Sequence, residues 1–170
     1  MLNIDAIVRP VCVAVVAIVV AWPAGSHAQS SVTADLHRVK RVHLEKVREA
    51  TESQLEVEKR LHAAATEALV SHGFLIVDKP HDADGTIKVD MSWWITVDGP
   101  QRDPPAYTFV SELTSSSLNV KWQTKFDIHS RAEEREVIRT AMRRVARNLF
   151  NAWKDSARKA GIKVVDDRVP

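Results

Sequence analysis

Cysteine is almost absent from this sequence. The one example, Cys12, sits in an apolar run near the start, so the rest of the chain can build neither a disulfide framework nor thiol chemistry. Glycine is scarce, five in 170 residues, and no Gly-rich phosphate loop occurs. There is no HExxH stretch and no Cys/His cluster, although six histidines follow residue 28. Ser115, Ser116 and Ser117 lack a Gly-x-Ser-x-Gly frame and read as turn residues. Charge of one sign is lacking too: the formal net charge is +2. With no nucleic-acid motif, that balance argues against a nucleic-acid partner. Beyond residue 22 no apolar run is long enough to cross a membrane, and there is no internal repeat or low-complexity tract. These absences give a protein with no cofactor, no metal and no enzymatic role as the expectation.

What is present begins with twelve consecutive apolar residues, Val11 to Trp22, followed by "PAGSHAQS". Ser26 and Ala28 occupy the small-residue positions of a signal-peptidase site, so residues 1–28 read as a secretory signal cleaved before Gln29. The competing reading is a membrane anchor. Twelve helical residues span only about 18 Å against roughly 30 Å of hydrocarbon, and Pro23 ends the run. Cys12 lies too early, and without the small-residue context, for a lipoprotein signal. The reading is a periplasmic protein, neither lipid-anchored nor stably inserted in a membrane. Residues 29–170 suffice for one domain that buries about two-thirds of its unfolded surface. A flexible leader is expected over 29–37, an α+β domain over 38–165 and a tail over 166–170.

Hydrophobic period supplies the fold. "RVKRVHLEKV" suggests a short strand near 40–46. Val57, Leu61, Ala64, Ala65, Ala68 and Leu69 recur at helical spacing and predict a helix over 52–72, stopped by Gly73. "FLIVD" (74–78) is short and continuously apolar, as in a strand buried in mid-sheet. In "TIKVDMSWWITVDG", Ile87, Val89, Met91, Trp93, Ile95 and Val97 alternate with Lys88, Asp90, Ser92, Trp94 and Thr96. That parity predicts a strand with Trp93 in the core and Trp94 in water. Two more alternating stretches follow, with Tyr107, Phe109 and Leu113, then Leu118, Val120, Trp122, Phe126 and Ile128 facing inward. Ser130 and Glu133 form a capping box for a last helix. Its stripe is Ile138, Ala141, Met142, Val145, Leu149, Ala152, Trp153 and Ser156. Residues 162–165 could add an edge strand. The class is therefore α+β: one four- to five-stranded mixed, mostly antiparallel sheet, in the order β-α-β-β-β-β-α, with two long helices on one face.

Gly73 and Phe74 at the helix-to-strand turn, with Ala83 and Asp84 before the long strand, give this pattern a likeness. It resembles a class of small α+β envelope domains found in the curli-secretion lipoprotein CsgG and in the LpoB-type activators of penicillin-binding proteins. The likeness covers about residues 38–160 and implies an assembly or accessory role. The lipobox usual in that class is missing here.

Four features could carry a function. Trp94, alone among polar neighbours, is a candidate anchor for a partner or a second copy; cover by the tail or by loop 98–105 is the alternative. Lys88, Lys121 and Lys125 would share its open sheet face. Arg139, Arg143 and Arg147 continue the spacing of Arg135 along the last helix, where arginine's planar fork suits carboxylate or phosphate; a solvated helix face is the plainer reading. "HDAD" (81–84) offers a histidine and two aspartates but no further ligands, and reads as a turn in which Asp82 or Asp84 bonds to backbone amides. The expected function is an accessory protein that binds another envelope component, an envelope protein or its own copy, through the sheet face or the arginine side. The alternative is a small-ligand carrier with a pocket between helices and sheet near Trp93, Trp122 and Trp153. Protein exported by a bacterial host should have an intact mass beginning at Gln29; a mass that retains Cys12 overturns the cleavage reading.

Overall fold

The computed structural model describes residues 35–46, 52–94, 104–164 and 168–170. Five strands, β1 (Arg41–Leu44), β2 (Leu75–Ile76), β3 (Gly85–Trp94), β4 (Ala106–Ser115) and β5 (Val120–His129), form one sheet in the order β2-β1-β3-β4-β5. Two helices, α1 (Glu52–Ser71) and α2 (Glu134–Lys159), pack on one face and against each other. The mixed α+β architecture read from the sequence is the one observed. β1 runs parallel to both its neighbours, while β3, β4 and β5 are antiparallel over their whole lengths.

The alternating residues make a dry face because their register aligns them. Ile87, Leu113 and Trp122 form one row across three strands, and Met91, Phe109 and Phe126 another. The rings of Phe109 and Phe126 stack at 5.7 Å between centroids. α2 buries its apolar stripe, from Val137 to Ala157, between this face, α1 and the 3-10 turn at Leu36. Each large side chain so buried contributes about 1.5–3 kcal/mol. Glu134 and Glu136 in its first turn and Arg158 and Lys159 in its last complement the helix dipole. Between helix and sheet, the Thr124 hydroxyl of β5 accepts from the Asn148 side-chain amide of α2 at 3.3 Å.

α1 stops as expected. The Phe74 amide donates to the Leu69 carbonyl and the Gly73 amide to the Val70 carbonyl, with Gly73 at φ +89°. This paired closure needs a left-handed residue at its turn, which glycine adopts without strain. A side chain there would also run into the backbone of Val169, which lies 2.6 Å from the site of a Cβ.

Several expectations need correction. β2 is an edge strand of two residues, with Leu75 61% exposed. The apolar run 74–78 is explained by Phe74 alone, which turns under the helices and is buried. The fold starts before residue 38: Leu36 is fully buried in a single 3-10 turn, and the Ser156 hydroxyl accepts from the His37 amide at 3.1 Å. Residues 29–34 lie outside the described residues. Ser130 does not cap α2. Its hydroxyl accepts from Ala132 in the preceding turn, and the helix opens at Glu134 without a side-chain cap. Residues 162–164 form no strand, and 165 lies outside the described residues. The tail instead returns to the core at Val169, which is buried and whose amide donates to the His72 carbonyl at 2.9 Å.

The short interior strand β1 is held by one carboxylate. Asp84 accepts from the amides of Lys40 (3.0 Å) and Arg41 (2.8 Å), and from the Arg41 guanidinium through Nη2 at 2.8 Å and Nε at 3.2 Å. Its own amide donates back to the Arg41 carbonyl at 2.8 Å. Thus the "HDAD" aspartate does bond to backbone amides, though to those of β1 rather than of its own turn. Burial pulls the Asp84 carboxyl upward, but the bonds and charge from Arg41 and the two amides outweigh it and hold it below its ordinary value. A carboxylate lowered in the folded state lends stability that is fully present above its unfolded value, about 3.9, and is lost as pH falls through the folded value. Asp84→Asn should therefore cost about 1–3 kcal/mol at pH 7. The gap between variant and parent in urea melts should close as pH drops below about 4; a gap independent of pH would overturn this account of the clamp.

Candidate functional site

The residues singled out for an open sheet face are on it. Lys88, Glu112 and Gln123 form one row, Asp90, Val110 and Lys125 the next, and Thr86, Thr114 and Lys121 a third. The face is balanced, however. Lys88 pairs with Asp90 at 3.1 Å and Lys121 with Glu112 at 3.1 Å, and Thr108 donates to Asp127 at 2.7 Å. Two of the three lysines are paired and Asp127 stands on the same face as Lys125, so the surface is polar and not basic. Trp94 ends β3 in the row of Ala106 and His129, and its side chain lies outside the described residues. The arginines belong to the other side of the molecule, because α2 covers the dry face. Arg139 is held by Glu136 at 3.1 Å, and the guanidinium of the neighbouring Arg144 lies 4.4 Å from the Phe126 ring centroid. Arg143 and Arg147 are exposed on the solvent side of the helix. Lysines and arginines are thus not brought together.

Trp93 is the main departure from expectation. It shares the dry parity with Ile87, Val89 and Met91, yet it is 60% exposed. The parity is right and the cover is short. β1 pairs with β3 only as far as Ile87, so the layer of β1 and α1 ends while β3 runs on. Exposure rises along the strand accordingly: Ile87 is buried, Val89 and Met91 are half-buried, and Trp93 is open. Trp122 and Trp153 do not join it. Both are buried, the latter donating through Nε1 to the Val39 carbonyl at 3.1 Å. The pocket expected near all three tryptophans is therefore built on Trp93 alone.

What the overhang leaves is a cleft of about 730 Å³. Its floor is Ile87, Val89, Met91 and Trp93, and its wall is Val57 and Leu61 of α1. Glu45, Glu58, Asp90 and Glu134 stand around it, with His62. Arg60 reaches Glu134 at 3.3 Å from outside the lining. Burial, helped by the charge of Lys46, holds the His62 imidazole below its ordinary value, so it is neutral at pH 7. Glu45, Glu58, His62 and Glu134 were not anticipated. The signal for them was the difference in length between a strand of about seven residues and one of twelve in the sequence reading, which implies an overhang. His81 and Asp82 lie elsewhere, exposed and 3.6 Å apart. No group of three or more His, Cys, Asp or Glu among the described residues could hold a metal ion. Among the same residues, no helix is long and apolar enough to cross a membrane.

No protein-family model and no curated protein matches the chain. Solved structures do. A PDZ domain protein from Parabacteroides distasonis superposes with a TM-score of 0.50 at 10% identity, over 67% of this chain and 33% of that one. This chain thus spans about a third of that protein's length. The PelC dodecamer from Paraburkholderia phytofirmans gives 0.47 at 17% identity, over 66% of this chain and 87% of that one. The hypothetical protein CT253 from Chlamydia trachomatis gives 0.33 at 9% identity, over 72% and 95%. At these identities the first likeness concerns the fold alone. None of these three is a CsgG- or LpoB-type protein.

Trp93 and Trp122 share the dry parity but should behave oppositely. Trp93→Ala should cost under about 1 kcal/mol in chemical denaturation, whereas Trp122→Ala should cost about 3–5 kcal/mol. Equal losses would mean that Trp93 is core in solution.

Proposed function

We propose that this is an exported, non-catalytic binding protein of the cell envelope, and that it holds its ligand in the cleft between α1 and β3. The observation that carries the reading is Trp93, a large indole left open at the end of an apolar floor. Ligand sites are concave and mostly apolar, with a few polar groups at the margin, and tryptophan is enriched among the side chains that dominate binding. The cleft has that make-up: aliphatic floor and wall, carboxylates and a neutral imidazole around them.

This moves the site away from the open sheet face. The lysines there already stand among carboxylates, and ion pairs in water contribute little to affinity. The envelope location is supported by the apolar run Val11–Trp22 with its small-residue site before Gln29, and by the likeness to CsgG- and LpoB-type domains. Non-catalytic action is supported by the make-up of the cleft. Its acids stand around an apolar floor, and the sequence holds no HExxH or Gly-x-Ser-x-Gly frame.

Nile red, a neutral apolar dye, tests the site directly. The exported chain should bind it one to one with enhanced fluorescence, and Trp93→Ala should weaken binding at least tenfold while lowering the melting temperature by no more than a few degrees. Binding that ignores both Trp93→Ala and Val57→Glu would remove the cleft as the ligand site.

A further inference from the structure

The cleft has a backbone as well as a floor. β1 is parallel to β3 and pairs with Gly85, Thr86 and Ile87 only; the last bond is from the Glu45 amide to the Ile87 carbonyl, at 2.9 Å. Successive strand residues offer their N–H and C=O groups to opposite edges. Since Ile87 offers its carbonyl towards β1, Val89, Met91 and Trp93 offer theirs the same way, past the end of β1. Among the described residues no strand pairs with them on that side. An unpaired edge of this kind is a template for another strand, and proteins normally blunt it with lysine, proline or a bulge. Here the edge is aliphatic and aromatic on its dry side, and it is recessed beneath Val57 and Leu61 of α1.

We propose that the cleft accepts an extended peptide that adds a strand to the open edge of β3, with apolar side chains alternating with lysine or arginine. The proposal rests on the cleft being the binding site and adds what fills it. Val89 to Trp94 present six residues, about 20 Å of strand, so the bound segment is about six residues long. Its dry-side residues would meet the floor and the α1 wall. The alternate residues would lie level with Asp90 on the polar side. Charge favours basic residues: Glu45, Glu58, Asp90 and Glu134 line the cleft, and among the described residues no lysine or arginine does. Arg60 and Lys88 each engage one of these carboxylates from outside the lining, and Lys46 lies near enough to act on His62, so four carboxylates face three cations and the cleft keeps a small acidic excess. A second copy of this chain fits less well, because the edge is recessed under its own α1 and a partner's β3 would arrive with a helix of its own. Main-chain bonds would supply affinity and the alternating side chains selectivity, as in other strand-addition sites.

The probe is a fluorescein-labelled hexapeptide of alternating valine and lysine, titrated by anisotropy with the full-length chain. It should bind at least tenfold more tightly than a block peptide of three valines and three lysines, and than alternating valine and glutamate. Two N-methylated versions then test the backbone. Methylating the amides of one residue type should weaken binding at least tenfold, and methylating the other less than threefold, because only one set faces β3. Sensitivity at the valine amides would mean antiparallel addition; sensitivity at the lysine amides would mean parallel. Equal sensitivity to both patterns, equal binding of the block peptide, or self-association of the chain in place of peptide binding would overturn the proposal. Failure of the peptide while Nile red still binds would sink strand addition alone. Failure of both would sink the cleft.

Discussion

Everything particular about this molecule follows from a difference in strand length. β1 is four residues long and β3 is ten, and they are parallel neighbours that share only three residues of pairing. A helix returning from β1 covers β1 and β2, not the far half of β3. The three long strands, by contrast, match one another over their whole lengths, and α2 closes their dry face. The core is therefore complete on one side of β3 and incomplete on the other. A cleft, an exposed indole and an edge unpaired among the described residues all appear at the place where the shorter strand ends.

This also explains why Asp84 is placed where it is. A strand with so few ladder bonds of its own needs other anchors, and Asp84 provides four acceptor contacts to Lys40 and Arg41 at the start of β1. Bonds to a charged acceptor contribute more than neutral ones. The clamp and the cleft thus lie at opposite ends of β1. One end is fixed by charge; the other ends early and leaves β3 bare.

Period-2 alternation was a reliable guide to faces and a poor guide to cover. It placed Phe109, Leu113, Trp122 and Phe126 correctly, because for those residues the facing layer exists. It placed Trp93 on the right face and in the wrong environment, because parity says which way a side chain points and says nothing of what lies above it. The helical stripe of α2 succeeded for a related reason: a stripe about twenty residues long must find an apolar surface, and the dry face together with α1 offers one. Short apolar runs were less legible. In "FLIVD" a single phenylalanine is buried and the two-residue strand beside it sits at an edge, since a run that brief cannot distinguish a central strand from a turn that drops one side chain into the core. The buried Leu36 and Val169 at the two ends of the domain were invisible, because isolated apolar residues among polar ones carry no period.

The candidate site was legible only in its apolar half. Val57 and Leu61 belong to the α1 stripe, and Ile87, Val89 and Met91 to the β3 alternation, so a reader could place all five between helix and sheet. The acids could not be found that way. Glu45 follows the last residue of β1, Glu58 follows a core position of α1, and Glu134 opens α2; each is one residue away from a pattern and belongs to none. What joins them is the geometry of three elements ending at the same place. A surface made near element ends has no sequence period of its own, whereas the lysines and arginines do have periods. The periodic charges prove to be matched to their neighbours or spread along a solvated helix. The aperiodic ones surround the cleft that Trp93 leaves open, and selectivity for a bound segment would reside in them.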